Sequence, residues 1–453
     1  MTRRLVVVGG DAGGMTAAAQ ARRRVPDPAD LEIVAFERGG FTSYSACGIP
    51  YLVADLVNDA GDLVARSPEE HRRHGIDVRI GHEVDAIDLD ARTVEVRDLA
   101  RGDERTERFD DLVVATGSIP VRPPIDGIDA DGIFGVQTLD DGVSLRQFVD
   151  EEAPRRAVVV GGGYVGLELA EALVTRGLDV SLVEALAHPM PTLDDDMGAL
   201  VADALRAVGV TLYLGEKVSG LERDGARVRG VVTPHRTLPA DIVVLGLGVR
   251  PNVGLAAAAG VPVGEAGGIV TDERMRTPVD RVWAAGDCAQ TLHRVSRGPA
   301  VVALGTHANK QGRVVGVNVT GGSARFPGVI GTAAAKICSY EVARTGLSEA
   351  QAADAGLDTA GAVIESTTRA GYFPGAGPIT VKVVVERTTG RVLGGQIVGR
   401  EGAAKRIDAL ATAVWNEMTA AEVMSLDLSY APPFGPVWDP VLVAARKAAD
   451  LVG

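Results

Sequence analysis

Two widely separated stretches of this chain repeat one pattern: an apolar run, a glycine-rich loop, a helical segment and a second apolar run that closes on a glutamate. The first copy runs Leu5-Val6-Val7-Val8, Gly9-Gly10-Asp11-Ala12-Gly13-Gly14, a helix predicted over Met15 to Arg24 that Pro26 ends, and Leu31 to Glu37. The second runs Ala157-Val158-Val159-Val160, Gly161-Gly162-Gly163-Tyr164-Val165-Gly166, a helix to about Arg176, and Val180 to Glu184. A buried strand, a tight glycine turn and a helix form a βαβ unit, so the repetition predicts two Rossmann-like α/β domains.

Glycine is required in such loops because any side chain would hold the backbone away from a pyrophosphate at the helix N-terminus. The second loop has Gly161, Gly163 and Gly166 at fingerprint spacing, with Glu184 about twenty residues on. The first is imperfect, since Asp11 stands where the second glycine usually sits, but its strand-loop-helix context and Glu37 at the ribose position keep it a nucleotide loop. Glu184 would accept from an adenosine 2'-hydroxyl and repel a 2'-phosphate, and Ala185-Leu186-Ala187 brings no arginine. NADH is therefore expected over NADPH.

Between the two units, Leu112 to Pro120 reads as a strand meeting a turn, and Pro123-Pro124 as the crossover out of the first domain. A similar strand at Ile242 to Gly248 precedes Arg250-Pro251-Asn252, and Val282 to Asp287 marks the return. From about Arg325 the pattern changes to a hairpin, Ile379 to Val385 with Val392 to Val398 around Thr388-Thr389-Gly390, and a helix over Ala403 to Met418. This predicts a third, α+β domain, as the length of 453 residues and 46% hydrophobic content allow.

A net charge of -14 argues against nucleic-acid binding, which needs a basic surface. The run from Arg3-Arg4 into Leu5 to Val8 is too short for a secretory or membrane-spanning core, so a cytoplasmic protein is expected. Only Cys47, Cys288 and Cys338 occur, without a CxxC pair, so neither a metal site nor a disulfide framework is expected.

Cys47 lies in Thr42-Ser43-Tyr44-Ser45-Ala46-Cys47-Gly48-Ile49-Pro50-Tyr51, about ten residues beyond Glu37. The ordinary fate of a cysteine is burial as a small hydrophobe. Here Gly48 and Pro50 suggest a turn entering a helix, whose amide dipoles would acidify the thiol to a thiolate at neutral pH. A dithiol would need a cysteine at position 52, which is Leu52. Cys288 and Cys338 read as structural.

With Ala115-Thr116-Gly117 and Ala285-Gly286-Asp287 added to the paired loops and Cys47, the chain resembles the pyridine nucleotide-disulfide oxidoreductases along its whole length, most of all coenzyme A disulfide reductases. The resemblance implies an FAD domain split over residues 1–119 and 244–323, an NAD(P)H domain over 120–243 and a dimerisation domain over 324–453. It implies FAD on Gly9, Gly13, Gly14, Glu37, Arg38, Thr116, Gly117 and Asp287, with Tyr164 gating the nicotinamide face of the flavin. Tyr430, in Leu428 to Phe434, and Tyr372, in Gly371 to Pro374, are similar to family tyrosines that reach across a homodimer and protonate a leaving thiolate. Their alternative reading is interface packing. Gln20, Arg23 and Ser43, with Thr16 and His307, match coenzyme A contacts, whose alternative is a polar helix face.

By this resemblance, NADH reduces the flavin, the flavin reduces Cys47, and Cys47 attacks a small disulfide. Two departures bear on coenzyme A recognition: Ala46 replaces a family asparagine and Trp438 a family lysine. A rhodanese-like extension is not expected after Gly453. The rival reading is an NADH oxidase or peroxidase cycling Cys47 through a sulfenic acid, although the histidine such enzymes carry in the first loop is here Ala12. Readings of other kinds are an NADH-sensing flavoprotein that binds a protein partner, and an electron donor to a ferredoxin. Arg22-Arg23-Arg24 and Arg66 could meet substrate phosphates or form a solvated face.

Overall fold

The chain builds three five-stranded sheets, interrupting the first to make the second. In the computed structural model, which describes residues 2–452, the first sheet opens with β1 (Arg3–Val8), the helix α1 (Ala12–Arg24), β2 (Leu31–Glu37), β3 (Asp77–Ile80) and β4 (Asp111–Val114). The chain then lays down the second sheet as β5 (Ile133–Phe134), β6 (Arg156–Val160), the helix α2 (Tyr164–Thr175), β7 (Asp179–Glu184), the helix α3 (Asp195–Ala207), β8 (Thr211–Leu214) and β9 (Ile242–Leu245). It returns to the first sheet with β10 (Val282–Ala284) and the helix α4 (Gly305–Val319). The third sheet follows as β11 (Ala333–Ile337), β12 (Tyr340–Gly346), β13 (Thr359–Thr367), β14 (Pro378–Glu386) and β15 (Val392–Gly399), with helices α5 (Ile407–Trp415) and α6 (Pro440–Ala449).

The first sheet is parallel in the order β10-β4-β1-β2-β3, and Trp283 pairs with Val113, which stitches the returning strand to the one laid down before the interruption. The second is parallel in the order β8-β7-β6-β9-β5. Parallel sheets covered on both faces need unbroken apolar strands, and Leu5 to Val8 and Ala157 to Val160 are buried throughout. The third sheet is antiparallel, β11-β12-β15-β14-β13, and supports its own core around Ile379, Val381, Leu410 and Val441. Ile337, Val342 and Val398 on this sheet pack into the core beneath the second, so the two units share apolar contact.

Helix α1 starts at Ala12, inside the glycine loop and earlier than the predicted Met15, because the loop backbone turns directly into the helix. It packs against α4 so closely that a Cβ on Gly312 would stand 2.3 Å from the Gly13 carbonyl oxygen. Arg22 is buried and bonds the carbonyls of Val25, Leu31 and Gly75, so it caps its own helix and is not available to a substrate. The helix predicted over Ala403 to Met418 is shorter: a 3-10 turn at Ala404–Arg406 leads into α5, which ends at Trp415.

Candidate active site

The two glycine loops follow one plan. Gly9 lies at φ 110°, and a Cβ on it would stand 2.1 Å from the Ala115 carbonyl oxygen; a Cβ on Gly14 would stand 2.1 Å from that of Gly9. Gly161 lies at φ 99°, with a Cβ 2.5 Å from the Gly246 carbonyl oxygen, and a Cβ on Gly166 would stand 2.1 Å from that of Gly161. Side chains avoid this φ and no atom fits at such distances, so only glycine serves. Gly13 is tight at 3.2 Å from the Ala285 carbonyl oxygen, whereas Gly163 leaves room beside the start of α2.

Each loop is tied to the glutamate of its second strand. Glu37 accepts from the Gly10 and Gly39 amides, both at 2.8 Å, and Glu184 accepts from the Gly162 amide at 2.7 Å and the Leu186 amide at 2.9 Å. Each carboxylate oxygen thus accepts one amide and keeps capacity for a ribose hydroxyl.

A cavity of about 510 Å³ gathers Gly9, Gly13, Glu37, Arg38, Thr116, Gly117 and Asp287, joined by Asp11, Tyr44 and Ala46. Gly14 lies behind the loop, against Gly9. Ser118 donates to Asp287 at 3.0 Å and Gln137 to Ser118 at 2.8 Å, which fixes a carboxyl whose pKa burial pushes up. Asp11 accepts from the Tyr44 amide at 3.1 Å; burial, with Glu37 and Asp287 nearby, raises its pKa to about 6. A cradle that only glycines can form, with carboxylates at the strand ends, fits FAD in the first loop and a nicotinamide dinucleotide in the second.

The thiol loop is fastened to the first cradle. The Ser43 amide and the Thr42 hydroxyl both donate to the Gly10 carbonyl, at 3.1 and 2.5 Å, and Tyr44 takes Asp11. Cys47 is exposed in the 3-10 turn Ala46–Gly48, ahead of a helix of only five residues, Ile49–Val53. The expected acidified thiol is corrected here. Desolvation by the surrounding protein atoms, then the charge of Glu168, raises the Cys47 pKa although the residue is exposed, and so short a helix supplies too little dipole to reverse that.

Glu168, one turn beyond Tyr164 on α2, went unread in the sequence, although its spacing from Tyr164 places both on one helix face. Burial, then Glu171, raises its pKa to about 7, and its charge acts on Cys47, Tyr51 and Tyr164. Burial also raises the pKa of Tyr164.

Cys288 is fully buried, with its sulfur near the Val114 and Ala285 carbonyls, and is structural. Cys338 is only half-buried, in the turn between β11 and β12 at φ 51°, so burial does not account for it as expected. Tyr372 and Tyr430 meet each other at the surface, 79% and 48% exposed, and neither lines the cavity beside Ala46.

Thr16, Gln20 and Arg23 share one face of α1. Thr16 donates to Asn309 at 2.7 Å, Gln20 lies against Gly316, and Arg23 is exposed. Ser43 bonds His71 at 2.9 Å, and that buried imidazole is held neutral, its pKa lowered to about 4 by burial and by Arg66 and His74. His307 sits in the first turn of α4, half-buried, its pKa lowered by burial.

A chain with two dinucleotide cradles and a thiol loop tied to one of them is a nucleotide-dependent oxidoreductase. The family description "pyridine nucleotide-disulphide oxidoreductase" matches residues 3–312, and that family's dimerisation domain matches residues 332–440. The chain belongs to the pyridine nucleotide-disulphide oxidoreductase family, whose members use FAD and NAD(P)H.

An NAD(P)H sulfur oxidoreductase (CoA-dependent) of Pyrococcus abyssi is 38% identical over 98% of this chain and 97% of its own. An NADH oxidase of Methanocaldococcus jannaschii is 34% identical over 98% of both. The structure of reduced Bacillus anthracis CoADR-RHD superposes with a TM-score of 0.95 at 32% identity, covering 100% of this chain and 81% of that one. Among the described residues no helix is long and apolar enough to cross a membrane.

Proposed function

We propose that the protein is an FAD-dependent NADH oxidoreductase that reduces a low-molecular-weight disulfide, coenzyme A disulfide or a related disulfide or persulfide, through Cys47. The observation that carries this is the attachment of the Cys47 loop to the first glycine loop through Gly10 and Asp11, which ties the thiol to the cradle that fits FAD. In this reading residues 1–119 and 244–323 hold FAD, 120–243 hold NADH, and 324–453 dimerise. The three unpaired thiols suit a reducing, cytoplasmic setting.

Gly9, Gly13 and Gly14 open the backbone to the FAD pyrophosphate, while Glu37, Arg38, Thr116, Gly117 and Asp287 hold the remainder. Gly161, Gly163 and Gly166 do the same for NADH, Glu184 takes its ribose and Tyr164 gates the nicotinamide face of the flavin. Bound FAD supplies hydride acceptance from NADH and two-electron reduction of the cysteine sulfur. The Cys47 thiolate attacks the substrate disulfide: a bond forms between Cys47 Sγ and one sulfur, the substrate S–S bond breaks, and the departing thiolate takes a proton. Tyr430 and Tyr372, paired at the protein surface, supply that proton across a homodimer. Two electrons from NADH then release the second thiol and restore Cys47. Thr16, Gln20, Arg23, Ser43 and His307 hold the substrate's polar part. Desolvation and, after it, Glu168 raise the Cys47 pKa and so disfavour its thiolate.

The test is anaerobic reduction with one equivalent of NADH, then mixing with coenzyme A disulfide and, separately, with oxygen. Rapid reoxidation by the disulfide, lost in Cys47→Ser, is the expected result. Fast reoxidation by oxygen alone would overturn it in favour of the oxidase reading, which the Methanocaldococcus relative keeps in view.

A further inference from the structure

The third sheet contains a lysine that is hard to account for by packing alone. Lys382, on β14, has a side chain only 4% exposed, yet its ammonium meets three carboxylates: Asp194 at 3.1 Å, Asp196 at 3.0 Å and Glu349 at 2.5 Å. Lysine is rarely buried unless paired, and here three acidic groups surround one cation. Burial works against the charge, but Glu349, Asp196 and Asp194 overcome it and push the pKa up to about 12.

Two of those carboxylates belong to the second unit. Asp194 stands at the position just before α3, and Asp196 lies in its first turn. Asp194 is held further by the third sheet's Gln396, which accepts from the Asp194 amide at 2.9 Å and donates to its carboxylate at 2.6 Å, and by the Glu349 amide at 2.9 Å. The end of the segment 185–194 is thus fixed by a different sheet from the one that begins it.

That segment walls the second nucleotide cradle. It leaves Glu184, which holds the Gly162 amide; at Met190 its own amide donates to the Gly162 carbonyl at 2.7 Å, and only a short run separates Met190 from Asp194. Met190 is buried at φ 59°, so the segment has little freedom to relax if one end is released. Arg344, buried on β12, bonds Gln351 at 3.0 Å, and its charge acts on both Asp194 and Tyr164. The segment after Glu184 is therefore fastened to the third sheet, whose Arg344 charge also reaches the tyrosine that opens α2.

We infer that Lys382 is a positioning residue for the nicotinamide nucleotide: by clamping Asp194 and Asp196 it sets the 185–194 wall against the second glycine loop, and so fixes the binding unit on the dimerisation sheet. This rests on NADH occupying the second cradle. The lysine touches neither the nucleotide nor the reacting atoms; it acts through the wall.

The experiment measures the Kd for NAD+ by calorimetry, with the KM for NADH, the FAD content and the melting temperature, in wild type, Lys382→Met, Lys382→Arg and Asp194→Asn. In Lys382→Met the Kd and KM should rise about tenfold, with FAD content and the reoxidation rate of dithionite-reduced enzyme unchanged. Lys382→Arg should stay within about twofold of wild type, because it restores the charge. Should Lys382→Met fail to fold, Asp194→Asn keeps the shape while loosening the clamp and should raise the same constants. A lowered melting temperature with unchanged Kd and KM in the folded variants would overturn the inference and leave the cluster a purely structural one. Wild type that does not bind NAD+ would instead overturn the reading of the second cradle.

Discussion

The Glu184 carboxylate accepts from the Gly162 amide at 2.7 Å, which locks the end of β7 to the glycine loop in front of α2. Glu37 and Gly10 form the same bond at 2.8 Å in the other unit, so one local device is used twice. Its consequence for the second unit is a negative charge where an adenosine ribose would lie. Glu184→Ala should raise the KM for NADH about tenfold, the value of a lost hydrogen bond to a charged group, and reduce the preference for NADH over NADPH. Adding Ala185→Arg should favour NADPH, since an arginine there can neutralise a 2'-phosphate. The ratio of kcat/KM for the two nucleotides checks both.

Gly14 and Gly166 occupy the same place in their loops, each with a carbonyl oxygen 2.1 Å from where a Cβ would sit. Gly14→Ala should strip FAD from the purified protein, and Gly166→Ala should leave FAD bound while abolishing reduction by NADH. Each should cost about 1 to 3 kcal/mol of local stability through overpacking. Flavin absorbance per mole of protein, read beside the reduction rate, separates the two.

Desolvation first and Glu168 second raise the pKa of the Cys47 thiol, and Glu168 itself titrates near pH 7. Above that pH its charge opposes the thiolate, and removing the charge favours it. Alkylation of Glu168→Gln by iodoacetamide should therefore show a midpoint lower than wild type by up to about one pH unit. Below about pH 6 both proteins should react alike, because Glu168 is then neutral in the wild type too.

Asp11 has its pKa raised from 3.8 to about 6, chiefly by burial. An acid whose folded pKa is raised penalises the folded state as it ionises. The penalty is absent below the unfolded value and complete above the folded one, and two pH units correspond to roughly 3 kcal/mol. Asp11→Asn, which keeps an acceptor for the Tyr44 amide, should raise the melting temperature of the FAD-free protein at pH 7 and leave it unchanged near pH 3.5. Calorimetry across that range tests this.

Much of this molecule could be read along the chain because its signals are local. The runs Leu5 to Val8 and Ala157 to Val160, with glycines and a glutamate at fixed offsets, define strand, turn and helix within about thirty residues, and the structure has both units. The hairpin of β14 and β15 was legible for the same reason, since alternation and a turn suffice to specify it. The state of the Cys47 thiol was not, because Gly48 and Pro50 signal a turn while the desolvation and, after it, the Glu168 charge that raise its pKa arise only once the second sheet's helix is brought near it. Arg22 read as a surface cation until the Leu31 and Gly75 carbonyls folded over it. Lys382 gave no signal at all, as nothing near it in sequence shows that Asp194 and Asp196 will surround it. By itself, then, the sequence determined the elements, the two cradles and the candidate thiol, which depend on backbone geometry over short spans. Tertiary structure alone decided the charges those groups carry and which units are fastened together, because desolvation and Coulomb interactions act between residues that only folding brings within reach.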